Sequence, residues 1–223
     1  MKYKTCTSIA ETNPKKLKQI LKIGLKKSDF VELRFDFLKP EQIPFVLQNT
    51  REDLKKVVCT LRPKIEGGKF SGNEKERIAI LKLIAEYNPF LLDVEFSTIK
   101  KNKELARYLK TTRTNLLISE HDFKKTPKLS DLKSKMNQMS KFSSNIKIVT
   151  TAKSTDDSTR ILELYSKKGK INLIAFSMGD AGRISRILSL YLGSPFTYVS
   201  LGKPIAPGQF SVDEIKKIIQ LKN

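Results

Sequence analysis

The sequence contains only two cysteines and a single histidine in 223 residues. Cys6 and Cys59 each lie in a short apolar run, and we interpret them as reduced core thiols of a cytoplasmic protein. One histidine argues against a histidine-based zinc site, and no paired spacing typical of metal ligands occurs. We therefore expect neither a disulfide nor a metal centre.

Long hydrophobic runs are also missing. No stretch approaches the roughly 20 apolar residues of a membrane-spanning helix, and the N-terminal segment lacks the apolar core of a signal peptide. With 39% hydrophobic and 30% charged residues, the composition is typical of a globular protein. We predict a folded protein without a membrane segment.

Acidic residues are few: the chain has 23 aspartates and glutamates but 43 lysines and arginines, which gives a net charge of +20. Such a charge invites a nucleic-acid partner. The lysines, however, are spread over the polar faces of predicted helices, without an aromatic-interleaved platform or a helix-turn-helix pattern. We favour a solvated basic surface and no nucleic-acid partner, and a nucleic-acid-binding protein is the non-enzymatic alternative.

Strand-like and helix-like patterns alternate eight times along the chain. The predicted strands cover 2–8, 29–37, 55–62, 90–96, 114–123, 145–152, 171–179 and 195–201. The predicted helices cover 13–27, 40–50, 74–87, 102–112, 129–142, 154–168, 180–193 and 211–222. Such alternation favours parallel pairing, and eight units predict an α/β protein, a (β/α)8 TIM barrel forming a single catalytic domain over 1–223. The alternative is an open doubly wound sheet, whose nucleotide-binding form lacks its glycine fingerprint in "SIAETNP".

Polar residues embedded in the predicted strands are candidates for chemistry, because barrel enzymes place their sites at the C-terminal strand ends. Glu32, Arg34 and Asp36 recur at period two, which predicts one inward face of the second strand. The further candidates are Arg62 and Glu66 in "TLRPKIEGG", Asp93 and Glu95 in "LLDVEF", His121 in "LLISEHDF", Arg183 and Arg186 in "SMGDAGRISR", and Gln209 in "GKPIAPGQF".

Lys147 stands between Ile146 and Ile148 in the apolar run "NIKIVTTAK". An ammonium group is costly to bury, and burial among apolar neighbours favours the neutral amine. A neutral strand lysine near a histidine suits imine chemistry on a carbonyl substrate. The alternative is a lysine that extends its amine to solvent from the start of the strand.

Six motifs together resemble one family. "ELRFD", "TLRPKIEGG", "SEHDF", "KIV", "SMGDAGRISR" and "APGQ" are similar, in order and spacing, to the motifs of the type I 3-dehydroquinate dehydratases, Schiff-base enzymes of the shikimate pathway. Each motif alone is weak, but six in the right order are specific. The resemblance runs from the first predicted strand to the last.

The resemblance implies that Lys147 forms an imine with the C3 ketone of 3-dehydroquinate. It implies that His121 is the general acid and base, oriented by Glu66. It assigns the substrate carboxylate and hydroxyls to a set of binding residues, and supporting roles to Asp36 and Asp93. No metal or organic cofactor is implied, since a protonated imine is itself an electron sink, and the expected assembly is a homodimer. The implied binding residues are Glu32, Arg34, Arg62, Arg186 and Gln209.

The chain departs from the family pattern just before "APGQ", where Ile205 replaces a hydroxyl residue that many members carry. A substrate contact in that loop is therefore lost or moved. In the first strand, either Thr7 or Ser8 is the polar contact. The enzymatic alternative is a class I aldolase of the transaldolase kind, but such enzymes usually need a phosphate site where this chain has "APGQ" and an arginine pair.

Overall fold

The structure is a computed structural model that describes residues 3–220. Lys2 of the first predicted strand, and Leu221 and Lys222 of the last predicted helix, lie outside the described residues. The strands are β1 Thr5–Ile9, β2 Phe30–Arg34, β3 Val57–Thr60, β4 Leu91–Glu95, β5 Leu116–His121, β6 Asn145–Thr151, β7 Asn172–Met178 and β8 Thr197–Val199. The α-helices are α1 Pro14–Lys27, α2 Ile43–Asn49, α3 Glu74–Glu86, α4 Phe96–Lys101, α5 Lys103–Thr111, α6 Leu129–Met139, α7 Thr155–Leu162, α8 Ser185–Tyr191 and α9 Val212–Gln220.

The described residues form two compact units. We call residues 9–118 the middle unit, and residues 3–8 together with 119–220 the terminal unit. The expectation that residues 1–223 are a single domain stays a prediction.

The middle unit contains three consecutive parallel strands. β2 pairs with β3, with Arg34 opposite Thr60, and β3 pairs with β4, with Thr60 opposite Asp93. Every residue of β3 and β4 is buried, as expected for parallel strands covered on both faces. The polar residues of these strands are therefore held inside the protein, where they need partners.

The terminal unit contains two parallel pairs. β6 pairs with β7, with Lys147 opposite Ile174, and β1 pairs with β8, with Thr5 opposite Thr197. A pairing of the first strand with the last is expected for a barrel and not for an open doubly wound sheet. Behind β8, α8 and α9 enclose an apolar cluster of Ile187, Val199, Phe210, Val212 and Ile215.

Several strands are shorter than predicted, and for two of them, β2 and β3, the difference affects a candidate site residue. β2 ends at Arg34, and Asp36 lies in a 3₁₀ turn over Phe35–Phe37, so the expected period-two face breaks after Arg34. β3 ends at Thr60, two residues before Arg62. Both corrections move a polar residue from a strand into the loop that follows it.

Candidate active site

Arg62 is the centre of a buried ion cluster in the middle unit. Its side chain is 4% exposed, and the two carboxylates that bind it are fully buried. Nη2 donates to Asp93 Oδ2 at 2.6 Å, and Nη1 donates to Glu95 Oε1 at 2.7 Å. Burial alone lowers the pKa of the guanidinium, but attraction by Asp93 and Glu95 raises it above its ordinary value. Arg62 is therefore a fixed cation.

The period-two placement of Asp93 and Glu95 on β4 is confirmed, since both carboxylates reach the same guanidinium. The neighbouring strands hold Glu32, which is 5% exposed and accepts a hydrogen bond of 2.9 Å from the Thr60 hydroxyl. Glu32 and Asp93 are the middle residues of β2 and β4, and Glu95 is the last residue of β4, at the strand end where the fold class predicts chemistry.

Arg34 forms a two-pronged ion pair with Asp36. Nε and Nη2 donate to the two carboxylate oxygens at 2.8 and 2.7 Å. Asp36 also accepts from the backbone N–H of Lys69 at 2.9 Å, so it ties β2 to the loop after β3. Asp36 thus supports Arg34, whose side chain keeps 15% exposure.

Glu66 ends a 3₁₀ turn over Lys64–Glu66 and is buried. Burial raises its pKa to about 7, Glu95 and Asp93 add to the rise, and Arg62 opposes it. Ser97, at the start of α4, donates to its Oε1 at 3.2 Å. A carboxyl group that titrates near neutrality is suited to proton transfer or to the support of a base.

Backbone conformation and close packing explain why glycine occupies both positions after Glu66. Gly67 has φ 75°, the left-handed region that favours glycine. A Cβ on Gly68 would lie 1.9 Å from the carbonyl oxygen of Arg62, a distance that no side chain tolerates. The loop therefore folds tightly back onto the backbone of Arg62, which fixes both Arg62 and Glu66.

Lys147 is the third residue of β6 and is 5% exposed. Its amine lies over the ring of Tyr198 on β8, with Nζ 4.1 Å from the ring centroid. The negative face of the ring offsets part of the cost of burying a cation. Lys147 therefore points inward and does not extend to solvent, which removes the alternative left open by the sequence.

His121 is the last residue of β5, as predicted, and is partly buried. Its ring stacks at 6.3 Å from that of Phe123, which is 49% exposed. At this position the imidazole lies at the C-terminal end of its strand and is reachable from outside. Lys147 and His121 belong to the same unit.

Arg186 lies on α8, is 1% exposed, and has its guanidinium carbon 4.2 Å from the centroid of the Phe176 ring. Nη2 donates to the carbonyl of Pro207 at 3.0 Å, while Nε has no hydrogen-bond partner among residues 3–220. Burial lowers the pKa of Arg186 to about 10, so it still carries its charge at pH 7. A buried cation of this kind is suited to an anionic ligand. Arg183, by contrast, is exposed and pairs with Glu214 at 2.9 Å.

Gln209 is buried near β1. Its Oε1 accepts from the backbone N–H of Ile205 at 2.9 Å, and its Nε2 donates to the hydroxyl of Ser8 at 3.4 Å. Ser8 is one of the two first-strand candidates for the polar substrate contact, and the choice between Thr7 and Ser8 stays a prediction. Gly208 has φ 71°, and its Cβ would approach the carbonyl of Gly179 to 3.1 Å. The loops after β7 and β8 are thus closely packed.

Two residues of these clusters were not found from the sequence. Tyr198 was one aromatic residue of a predicted strand, and nothing in the pattern indicated that it faces Lys147. Arg77 lies in the predicted helix 74–87 and was not a candidate, yet it is 1% exposed and pairs with Glu95 at 2.6 Å. Arginine in the first turn of an amphipathic helix carries no signal of burial, so only the fold reveals it.

Within residues 3–220, no group of three or more His, Cys, Asp or Glu side chains could hold a metal ion. Over the same residues, no helix combines the length and apolar character needed to cross a membrane.

The chain is similar to known proteins over its whole length. A family model described as Type I 3-dehydroquinase matches residues 5–223. A 3-dehydroquinate dehydratase of Methanococcus maripaludis is 34% identical over 225 residues, covering 97% of this chain and 98% of the relative. One of Dehalococcoides mccartyi is 37% identical over 210 residues, covering 90% of each chain.

Solved structures give the same picture of the fold. The 3-dehydroquinate dehydratase of Geobacillus kaustophilus superposes with a TM-score of 0.89 at 23% identity, covering 99% of this chain and 91% of that one. The type I enzyme of Clostridium difficile, described with covalently modified comenic acid, gives 0.87 at 26% identity, covering 99% and 92%. Together with the eight alternating strand-helix units, this likeness confirms the (β/α)8 barrel as the fold class.

Proposed function

The chain belongs to the type I 3-dehydroquinase family and is a dehydratase of the lyase class, and on this premise we propose that it converts 3-dehydroquinate to 3-dehydroshikimate through an imine on Lys147. The observation that carries the proposal is the amine of Lys147, which is buried at the third position of β6 and held 4.1 Å from the centroid of the Tyr198 ring. The ring face would stabilise the positive charge of a protonated imine at the same atom. Covalent chemistry also fits the covalently modified comenic acid described for the Clostridium difficile relative.

In the proposed sequence, the neutral amine of Lys147 adds to the C3 ketone. Protonated His121 gives its proton to the hydroxyl of this adduct, which leaves as water, and a protonated imine remains. His121 removes the C2 proton, so the electron pair moves toward the iminium nitrogen and an enamine forms. His121 then protonates the C1 hydroxyl, which departs as water. Hydrolysis of the resulting conjugated imine returns Lys147, and the net change is the loss of one water molecule.

Glu66 is proposed to support the acid-base action of His121. Its raised pKa, at about 7, lets it hold or release a proton in the same range as an imidazole. In the terminal unit, Arg186 is proposed to bind the substrate carboxylate, because its charge is buried and its Nε has no hydrogen-bond partner among residues 3–220. The proposed set of further binding residues is Glu32, Arg34, Arg62 and Gln209.

Borohydride reduction in the presence of 3-dehydroquinate tests the proposal. The reduced imine is a stable secondary amine, so the protein gains the mass of one ligand on the peptide that contains Lys147. Lys153, two residues after β6 and exposed, is the internal control. Lys147→Ala should lose both trapping and turnover, whereas His121→Ala should still be trapped, more slowly, while turnover collapses. A label on Lys153, or turnover retained in Lys147→Ala, contradicts the imine mechanism.

We further propose a homodimer in a cytoplasmic setting. Both cysteines are free and buried, as expected in a reducing compartment. α8 and the two residues that flank it expose four large apolar side chains, between 37% and 47% each, which suits a subunit contact. Light scattering of the purified protein at several concentrations tests this, and a mass of one chain throughout would contradict the dimer. The four side chains are Ile184, Leu188, Tyr191 and Leu192.

A further inference from the structure

Arg77 in the first turn of α3 is a buried cation with a complete set of partners. Nε and Nη2 donate to the two oxygens of Glu74 at 2.8 and 2.9 Å, and Nη1 donates to Glu95 Oε2 at 2.6 Å. Nη2 also donates to the hydroxyl of Thr98. Side-chain exposure is 1%, and the fixed geometry uses the planar fork that only arginine has.

Two contacts of Arg77 connect it to Arg62, one through Glu95 and one through the backbone of Leu61. Glu95 uses one oxygen for Arg77 and the other for Nη1 of Arg62, at 2.6 and 2.7 Å, so it bridges the two guanidinium groups. Arg77 Nη1 also donates to the carbonyl of Leu61, the residue before Arg62, at 3.2 Å. Arg77 therefore holds both the backbone next to Arg62 and the carboxylate that orients its side chain.

We propose that Arg77 is a positioning residue that sets the geometry of Arg62 for substrate binding through Glu95. The inference rests on the proposed role of Arg62 in binding the substrate. Glu95 alone could rotate about its last side-chain bond, and the second guanidinium prevents this by fixing the other oxygen. An error of about 1 Å in a binding group can cost on the order of 100-fold in rate, so a residue that never touches the substrate can matter this much.

Steady-state kinetics on Arg77→Gln, Glu95→Gln and the double variant tests the proposal. Arg77→Gln should raise KM by about 10- to 100-fold with a smaller change in kcat. In the Glu95→Gln background the same change should add little, because the bridge is already broken. The double variant removes one charge of each sign, which keeps the buried cluster balanced. Lys82→Gln, which removes the surface ion pair of α3 with Glu104, is the matched control and should behave as wild type.

An unchanged KM in Arg77→Gln overturns the proposal, and so do effects that multiply in the double variant, since they would mean that Arg77 acts independently of Glu95. If Arg77→Gln does not fold, Arg77→Lys is the variant that tests the proposal, because it keeps the positive charge and loses the planar guanidinium group. It should keep the wild-type melting temperature within a few degrees and raise KM several-fold, whereas a wild-type KM contradicts the positioning role.

A cavity of about 330 Å³ beside the cluster, lined by Glu74, Arg77 and Ser97 among others, permits a rescue experiment. Guanidinium ion at non-denaturing concentration should lower the KM of Arg77→Ala toward that of wild type, and sodium at equal ionic strength should not. Equal response to the two cations contradicts the requirement for a fork.

A readout independent of turnover separates this inference from the proposed function. The Arg62 guanidinium protons, observed by nitrogen-15 NMR, should exchange with water faster in Arg77→Gln than in wild type. Wild-type protein without dehydratase activity would refute the proposed function, and unchanged exchange would refute the positioning by Arg77.

Discussion

The two units each bury an arginine, and they treat its charge in opposite ways. In the middle unit Arg62 is held by two fully buried carboxylates at 2.6 and 2.7 Å. In the terminal unit Arg186 is as deeply buried, yet it donates to one backbone carbonyl and leaves Nε without a partner among residues 3–220. The contrast appears in their pKa values, which are raised above the ordinary value for Arg62 and lowered to about 10 for Arg186.

A buried charge that the protein itself compensates contributes to a defined local geometry, whereas one that it leaves uncompensated costs stability until a ligand arrives. Arg62 is therefore expected to be already positioned before substrate binds. Arg186 is expected to gain most from an anionic substrate, because the binding of a carboxylate supplies the missing partner. The same substitution at the two sites should thus have opposite effects on folding.

The largest expected effect is on the stability of the middle unit. Arg62→Met keeps an unbranched side chain of similar volume but leaves Asp93 and Glu95 without their shared cation. Removing one partner of a buried ion cluster typically costs about 3 to 5 kcal/mol, so the free energy of unfolding in urea at pH 7 should fall by that amount. A loss below about 1 kcal/mol would show that the cluster is dispensable for folding.

The corresponding substitution in the terminal unit, Arg186→Met, should leave folding intact and weaken substrate binding. Arg186→Met removes a buried cation without a carboxylate partner among the described residues, so the free energy of unfolding should stay equal or rise. The loss of a charge-assisted contact to the substrate should lower kcat/KM by an amount equivalent to about 2 to 4 kcal/mol. Wild-type kinetics, or a loss of stability like that of Arg62→Met, would remove the contrast between the two arginines.

The pH dependence of the free energy of unfolding should report on the carboxyl group of Glu66, which lies near the same cluster. Its pKa is about 7 in the folded protein, above the ordinary 4.5, so the folded state binds more protons between these values and stability falls as pH rises through that window. Glu66→Gln should remove this loss and gain about 2 kcal/mol relative to wild type at pH 8, with little change at pH 4, since the carboxyl is nearly but not fully buried.

The pH profile of turnover sharpens the role of Glu66. A limb near neutrality is expected from His121, and Glu66 is a second group that titrates there. Glu66→Gln should leave a single ionisation in this range, and His121→Ala should abolish most activity. If His121→Ala keeps its activity with an unchanged profile, the general base has been assigned to the wrong residue.

The smallest effect is expected for the exposed arginine of the same motif. Arg183 pairs with Glu214 at 2.9 Å, with both side chains nearly half exposed. Arg183→Met should change kcat/KM by less than about 2-fold and stability by less than about 1 kcal/mol. A binding defect as large as that of Arg186→Met would show that the two arginines of "SMGDAGRISR" were assigned the wrong way round.

The sequence by itself determined the order of the elements and the candidates for chemistry. Alternating periods place Lys147 in a strand and His121 at a strand end, and both positions are confirmed. Period two on β4 predicts that Asp93 and Glu95 share a face, and one guanidinium binds both. These predictions succeed because they depend on spacing within one element. The catalytic and binding roles of these residues, the homodimer and the absence of a nucleic-acid partner stay predictions.

Only the tertiary structure decided which residues meet. The ring of Tyr198 on β8 lies over the amine of Lys147 on β6. Because the two strands are far apart in sequence, no pattern within either strand encodes that contact. Arg77 is buried where its side chain on α3 reaches the end of β4 and pairs with Glu95, which also binds Arg62. Arg183 and Arg186 are two arginines of one motif, and the sequence does not distinguish them. The structure places Arg183 in the turn before α8, where its side chain is nearly half exposed, and Arg186 on α8, where it is buried. Spacing constrains a residue relative to its own element, whereas charge compensation depends on what other elements bring to the same point.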